Sequence, residues 1–332
     1  MKKALFIGGT GTISMSITRL IAERADWELY VLNRGNRNAG LPPAVKTIAA
    51  DIRDAARMRE AVSGHTFDVV ANFIGYTPED ARRDVDLFLG KTRQYIFIST
   101  CAAYHKPVMD LPITESTPQK NPFWQYASDK IASEQVLYDA FRARDFPLTV
   151  VRPSHTYDNR RLPIGVGGSA LAWQILQRMR RGKPVVVHGD GTSMWTVTHA
   201  DDFAVGFAGL MANPLVLGHA FNLVSDDVYT WNGIYQIYAD ILGVPFKAVH
   251  IPSDVIGRVR PDFAGTIGGD KAHCLVFDNS KIRRYVPEFH TRKRLPEAAR
   301  GIIAGMLAHP EAQKEDAAFD AWCDGLCERF TG

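Results

Sequence analysis

In the first 151 residues, six short and mainly apolar runs alternate with four helix-like segments, and this alternation restricts the fold more than any other feature. The runs are Ala4–Ile7, Glu28–Leu32, Val45–Ile48, Val69–Ala71, Tyr95–Ile98 and Leu148–Val151. Between them lie Thr12–Arg24, Asp54–Val62, Pro78–Leu89 and Gln125–Arg142. Runs of about three to five apolar residues bounded by turn residues suit strands buried on both faces, as a parallel sheet requires. Regular strand–helix alternation then implies right-handed crossovers and a doubly wound α/β sheet.

After residue 152 the pattern loosens. Gly165, Gly167 and Gly168 precede a helix-like segment at Ala170–Arg181, a strand at Val185–His188 and helices at Ala200–Met211 and Thr230–Leu242. The expected division is a dinucleotide-binding core at residues 1–151 and a smaller, interwoven substrate-binding part with closing helices at residues 152–332. Some of these later segments are expected to return to the core.

Composition removes several function classes. Lys and Arg number 39 against 36 Asp and Glu, so the net charge of +3 gives no sign of a dedicated nucleic-acid or polybasic membrane binder. No stretch of 18 apolar residues exists, and the N-terminal apolar run stops at Gly8, short of a signal sequence. The four cysteines form no CxxC pair, and no Cys/His spacing suits a metal. A cytoplasmic protein without a metal site is the expectation.

The first strand runs into Gly8-Gly9-Thr10-Gly11-Thr12-Ile13-Ser14, and a helix follows at once. Glycines here let the backbone turn tightly against a pyrophosphate, which sits on the helix N-terminus. Gly8, Thr10, Gly11, Thr12 and Ile13 are therefore candidate cofactor contacts. The second strand ends in Asn33-Arg34-Gly35-Asn36-Arg37, without a carboxylate for a ribose 2′-hydroxyl. Asn33, Arg34 and Arg37 fit a 2′-phosphate, so NADP is favoured and NAD remains open; a solvated basic loop is the plainer alternative. Asp51 and Ile52 close the third strand on the adenine side, and Asn72 and Gly75 close the fourth on the nicotinamide side.

Tyr126 and Lys130 stand four residues apart, on one face of a helix. A phenol is a poor base near neutral pH, and a neighbouring ammonium is expected to favour its phenolate. Ser99-Thr100-Cys101 ends the fifth strand, at the carboxyl edge where such sheets bind ligands.

Glycine loop, strand-end hydroxyl and Tyr-x-x-x-Lys helix, in that order, resemble the extended short-chain dehydrogenase/reductase family, which includes NAD(P)-dependent sugar epimerases and dehydratases. The resemblance spans nearly the whole chain, with further matches at Val151-Arg152-Pro153, Gly189-Asp190-Gly191 and His199-Ala200-Asp201-Asp202. It implies a Rossmann fold and Thr100, Tyr126 and Lys130 as the catalytic set, with Thr100 four residues before Tyr104. Tyr126, Lys130 and Pro153 would also contact the cofactor. The implied activity is that of an oxidoreductase or epimerase acting on a hydroxyl of a sugar or sugar derivative.

Three positions depart from the family pattern. Trp195 stands where nucleotide-sugar members carry a diphosphate-gripping Arg, and His155 stands in place of an Asn. Cys101-Ala102 replaces the Asp-Glu that dehydratases place after their Thr. Losing a cation at a diphosphate site weakens the nucleotide-sugar reading. Cys101, His155, Arg160 and Trp195 are candidate substrate contacts, with a packing role open for Trp195 and a buried, inert role for Cys101. A second class is a non-catalytic, regulatory or RNA-associated dinucleotide-binding protein. The expected partner is a small-molecule substrate, nucleic acid and membrane are not, and a homodimer is one option left open.

Overall fold

The computed structural model describes residues 1–331. Its central sheet has seven parallel strands: β1 (Lys2–Ile7), β2 (Trp27–Asn33), β3 (Lys46–Ala49), β4 (Val69–Asn72), β5 (Tyr95–Ile98), β6 (Leu148–Arg152) and, from far along the chain, Ala220–Asn222. The first four crossover helices are α1 (Thr12–Ala22), α2 (Ala55–Ala61), α3 (Pro78–Phe88) and α4 (Gln125–Arg144). Each of the six expected runs lies in or overlaps a strand, and the strand order 3-2-1-4-5-6 reverses direction beside β1. Ligands of open α/β sheets bind at such a reversal, outside the carboxyl ends of the strands.

Side-chain alternation explains why the sheet is covered twice. On β1, Ala4 and Phe6 face one core with Ile17 and Ile21 of α1, whereas Leu5 and Ile7 face another with Met58, Val85 and Phe88. On β5, Ile96 and Ile98 divide from Tyr95 and Phe97 in the same way. Burying each of these large side chains contributes roughly 1.5–3 kcal/mol. Local signals set the helix entries: Pro78 occupies the first turn of α3, while Thr77 and Asp80 cap one another's backbone amides.

Beyond β6 come β7 (His155–Tyr157), α5 (Ala172–Arg180), β8 (Val185–His188), β9 (Met194–His199), α6 (Ala200–Leu210) and β10 (Ala220–Asn222). β10 pairs in parallel with β6, and Phe203 and Phe207 of α6 pack beside Phe6. The core therefore draws on residues well past position 151. β11 (Val228–Thr230), α7 (Trp231–Leu242), β12 (Ala248–Ile251), α8 (Ser253–Val259) and α9 (Pro261–Thr266) build the remaining layer, around a third apolar cluster that contains Trp173, Trp195, Trp231 and Tyr235. α9 runs directly into one π-type turn, Ile267–Lys271.

Candidate functional site

The glycine loop lies at the carboxyl end of β1. Gly8 has φ +84°, and a Cβ there would stand 2.7 Å from Ile74 Cγ2, so only glycine fits without strain. Ser14 braces the loop: its hydroxyl donates to Gly8 O (2.8 Å) and accepts the Gly11 amide (2.8 Å). No side chain caps α1 and its first turn holds no acidic residue. The first-turn amides at Thr12 and Ile13 therefore remain suited to an anion, beside the half-buried Thr10. These residues fit a dinucleotide pyrophosphate.

Around the loop, the candidate adenosine contacts divide. Asn33 is engaged in shaping its own turn, accepting the Gly35 amide (2.7 Å) and donating to Asn38 (2.7 Å). Arg34 and Arg37 are exposed and, among the described residues, form no ion pair, so both guanidinium groups are available to a phosphate. Asp51 is committed to Arg53, whose guanidinium and amide hold its carboxyl well below the usual range. Ile52 is half-buried beside it. Asn72 does not reach outward either: it donates to Asp84 and accepts the Ile74 amide (2.8 Å). It thereby shapes the turn that presents the Gly75 carbonyl to Lys130.

Thr100, Tyr126 and Lys130 converge. Thr100 follows β5 by two residues and Tyr126 lies in the first turn of α4, and the Thr100 hydroxyl stands near enough to the Tyr126 phenol to favour its ionised form. Lys130, one turn along α4, is buried and donates to Gly75 O (2.7 Å) and Ile98 O (2.6 Å). Its ammonium lies 5.8 Å from the Tyr126 ring centre. Burial pushes the Lys130 amine down to about 7 and the Tyr126 phenol up to about 12. The expected lowering of the phenol by Lys130 is absent in this state, because the ammonium points at carbonyls and loss of hydration dominates.

One cavity of about 310 Å³ opens in front of Tyr126. Thr100, Cys101, Pro153, His155 and Trp195, all anticipated, line it. His155 is kept neutral, its imidazole pushed down to about 3 by burial and the nearby Lys271. Cys101 donates to Arg152 O (3.3 Å), and burial raises its thiol well above the ordinary range, which suits packing rather than proton transfer. Trp195 combines the two roles considered for it, being 2% exposed and part of the cavity wall. Arg160 does not line the cavity; its side chain is exposed and bound to Asp158 (2.6 Å) two residues earlier.

Sequence reasoning missed Trp124, Thr266, Asp270 and Lys271, which also line the cavity. The His199–Asp202 motif is an anchor. Asp201 accepts from Ser16 on α1 (2.7 Å), and Asp202 accepts the amides of Arg292 and Lys293 (2.9 Å each).

Comparison with known proteins follows the same lines. The model for the "NAD dependent epimerase/dehydratase family" matches residues 4–223. The 2'-dehydrokanamycin reductase of Streptomyces kanamyceticus is 26% identical over 91% of this chain and 84% of its own. A chloroplast stem-loop binding protein of Arabidopsis thaliana is 23% identical over 74% of this chain and 64% of its own. Among solved structures, the UDP-glucuronic acid 4-epimerase of Bacillus cereus, in complex with UDP-glucuronic acid and NAD, shares the fold. Its TM-score is 0.73 at 16% identity, over 92% of this chain and 99% of that one. Among the described residues, no helix is long and apolar enough to cross a membrane.

Proposed function

The chain belongs to the NAD dependent epimerase/dehydratase family, and from that premise we propose that it is an NAD(P)-dependent oxidoreductase or epimerase acting on a hydroxyl of a sugar or sugar derivative. The observation that carries this reading is the meeting of Thr100 and Tyr126 on one cavity wall with Lys130 buried directly behind them. A dinucleotide, when bound, supplies the hydride transfer and a ring charge that favours the phenolate. Tyr126 takes the proton of the substrate alcohol, or returns it in the reverse direction. Thr100 orients the reacting oxygen by a second hydrogen bond. Lys130 fixes the Gly75 and Ile98 carbonyls and so sets the floor on which a nicotinamide ribose would rest.

Arg34 and Arg37 support NADP over NAD, because both are free cations at the end of β2. The similarity to a reductase of a dehydro-aminoglycoside supports a saccharide substrate. A purely binding protein has no use for a buried lysine behind a tyrosine.

The test is Tyr126→Phe, followed by nicotinamide absorbance with a panel of sugars and amino sugars. Turnover should fall at least about 100-fold while dinucleotide affinity persists. Unchanged turnover would refute the mechanism.

A further inference from the structure

Asp270 sits in the π-type turn Ile267–Lys271 and lines the cavity. Single π-turns recur at functional sites, where they re-aim a side chain at the cost of regular bonding. This one is fastened to the segment that leads into α4. Asn121 donates to Gly269 O (2.6 Å) and to Ala102 O (2.7 Å). Trp124 lies so close to the turn that a Cβ on Gly265 or Gly269 would come within 2.3 or 2.7 Å of it. The Lys271 carbonyl takes hydrogen bonds from Ser193, His188 and Trp231. The backbone on either side of Asp270 is thus fixed beside the site.

One oxygen of the Asp270 carboxyl is left without a partner: Oδ1 is buried and has no hydrogen-bond partner among the described residues. Burial pushes its carboxyl up to about 6 against the pull of Lys106 and Lys271, each of whose ammonium groups is turned to a carbonyl, of Tyr104 (3.3 Å) and Gly165 (2.8 Å) respectively. A buried carboxylate without a partner is costly unless a ligand completes it. The rest of the wall offers Trp124, Trp195, Tyr126 and a neutral His155, and its one further cation, Lys271, is bonded to Gly165 O; with no arginine there is little to hold a diphosphate.

Resting on the oxidoreductase reading of this cavity, we propose that Asp270 is the substrate anchor. It accepts a hydrogen bond from an O–H or N–H donor on the ring, and the substrate is a donor-rich, phosphate-free glycoside. An ammonium and a hydroxyl are the two sources of such a donor, and charge distinguishes them. An amide in place of the carboxylate still accepts from a hydroxyl, but no longer attracts an ammonium.

The experiment titrates the dinucleotide-loaded protein calorimetrically with kanamycin (amine-bearing), maltotriose (hydroxyl-only) and UDP-glucose. Wild type, Asp270→Asn and Asp270→Ala are compared. Asp270→Ala should weaken at least one phosphate-free probe by about tenfold or more. If the anchored group is an ammonium, Asp270→Asn weakens kanamycin as much. If it is a hydroxyl, Asp270→Asn binds maltotriose within about threefold of wild type. Dinucleotide affinity on the same samples reports folding and the underlying reading separately, and should be equal in all three proteins. Failure of the wild type to bind a dinucleotide would overturn the oxidoreductase reading. Normal dinucleotide binding with unaltered affinity for both phosphate-free probes in Asp270→Ala, no binding of either by wild type, or tightest binding of UDP-glucose would each overturn the anchor alone.

Discussion

Arg152 at the end of β6 grips both carboxylate oxygens of Glu134 on α4, with Nη2 to Oε2 at 2.5 Å and Nε to Oε1 at 3.0 Å. Both side chains are almost fully buried, and Glu134 also accepts from Ser99, next to Thr100. The pair thereby locks the helix carrying Tyr126 and Lys130 to β6 and to the Ser99–Thr100 segment that follows β5. Removing Arg152 alone, as in Arg152→Met, leaves a buried charge and should cost about 3–5 kcal/mol by urea unfolding. Adding Glu134→Leu should return much of that loss. A double variant no more stable than the single one would show that the pair is not a unit.

Lys130 gives a pH signature. Its folded value of about 7 lies well below the ordinary lysine range because burial disfavours the ammonium. Between those values the unfolded chain holds a proton that the folded chain lacks, so stability rises with pH across that window. Compared with Lys130→Met, the wild type should gain at most about 1.4 kcal/mol per pH unit between pH 7 and 10. A flat difference would mean that Lys130 stays charged in the fold.

Arg34 provides the test of the proposed NADP preference. If it meets a 2′-phosphate, Arg34→Ala should weaken NADP by about tenfold and leave NAD within about twofold. Fluorescence titration with both dinucleotides measures this, and equal losses would remove the basis for an NADP preference.

The glycines of the loop are not equivalent. Gly8 adopts φ +84° with Ile74 pressed against it, whereas Gly11 has φ −84° and its nearest neighbour, Ser14 Oγ, would stand 3.4 Å from a Cβ. Gly8→Ala should cost roughly 1–3 kcal/mol in thermal unfolding, and Gly11→Ala distinctly less. Equal costs would contradict this difference.

The sheet and the Thr100, Tyr126 and Lys130 constellation were legible because each depends on short-range signals: apolar runs, a strand before a glycine turn, a spacing of one helical turn. What escaped depends on contacts between distant residues. Asp270 follows Tyr126 by more than a hundred positions, in a glycine-rich stretch without periodicity, and contacts of its turn with Asn121, Trp124, Ser193 and Trp231 bring it to the cavity. Arg160 lies off the cavity because Asp158 holds it in a local turn, a pairing that sequence alone does not show. The direction in which Tyr126 shifts was also out of reach, since it depends on where the Lys130 ammonium points and how much water remains.

The strand Ala220–Asn222 has a bearing on how the molecule is made. Until it emerges from the ribosome, the outer edge of Leu148–Arg152 has no neighbour, although every residue ahead of it in the sheet is already present. At about 5–20 residues per second, that gap of some seventy residues exposes an open sheet edge for several seconds. A nascent chain stalled or cleaved within it would present that unpaired edge to other chains. Expression of the first half as a separate fragment should therefore give insoluble protein unless the closing strand is supplied in trans.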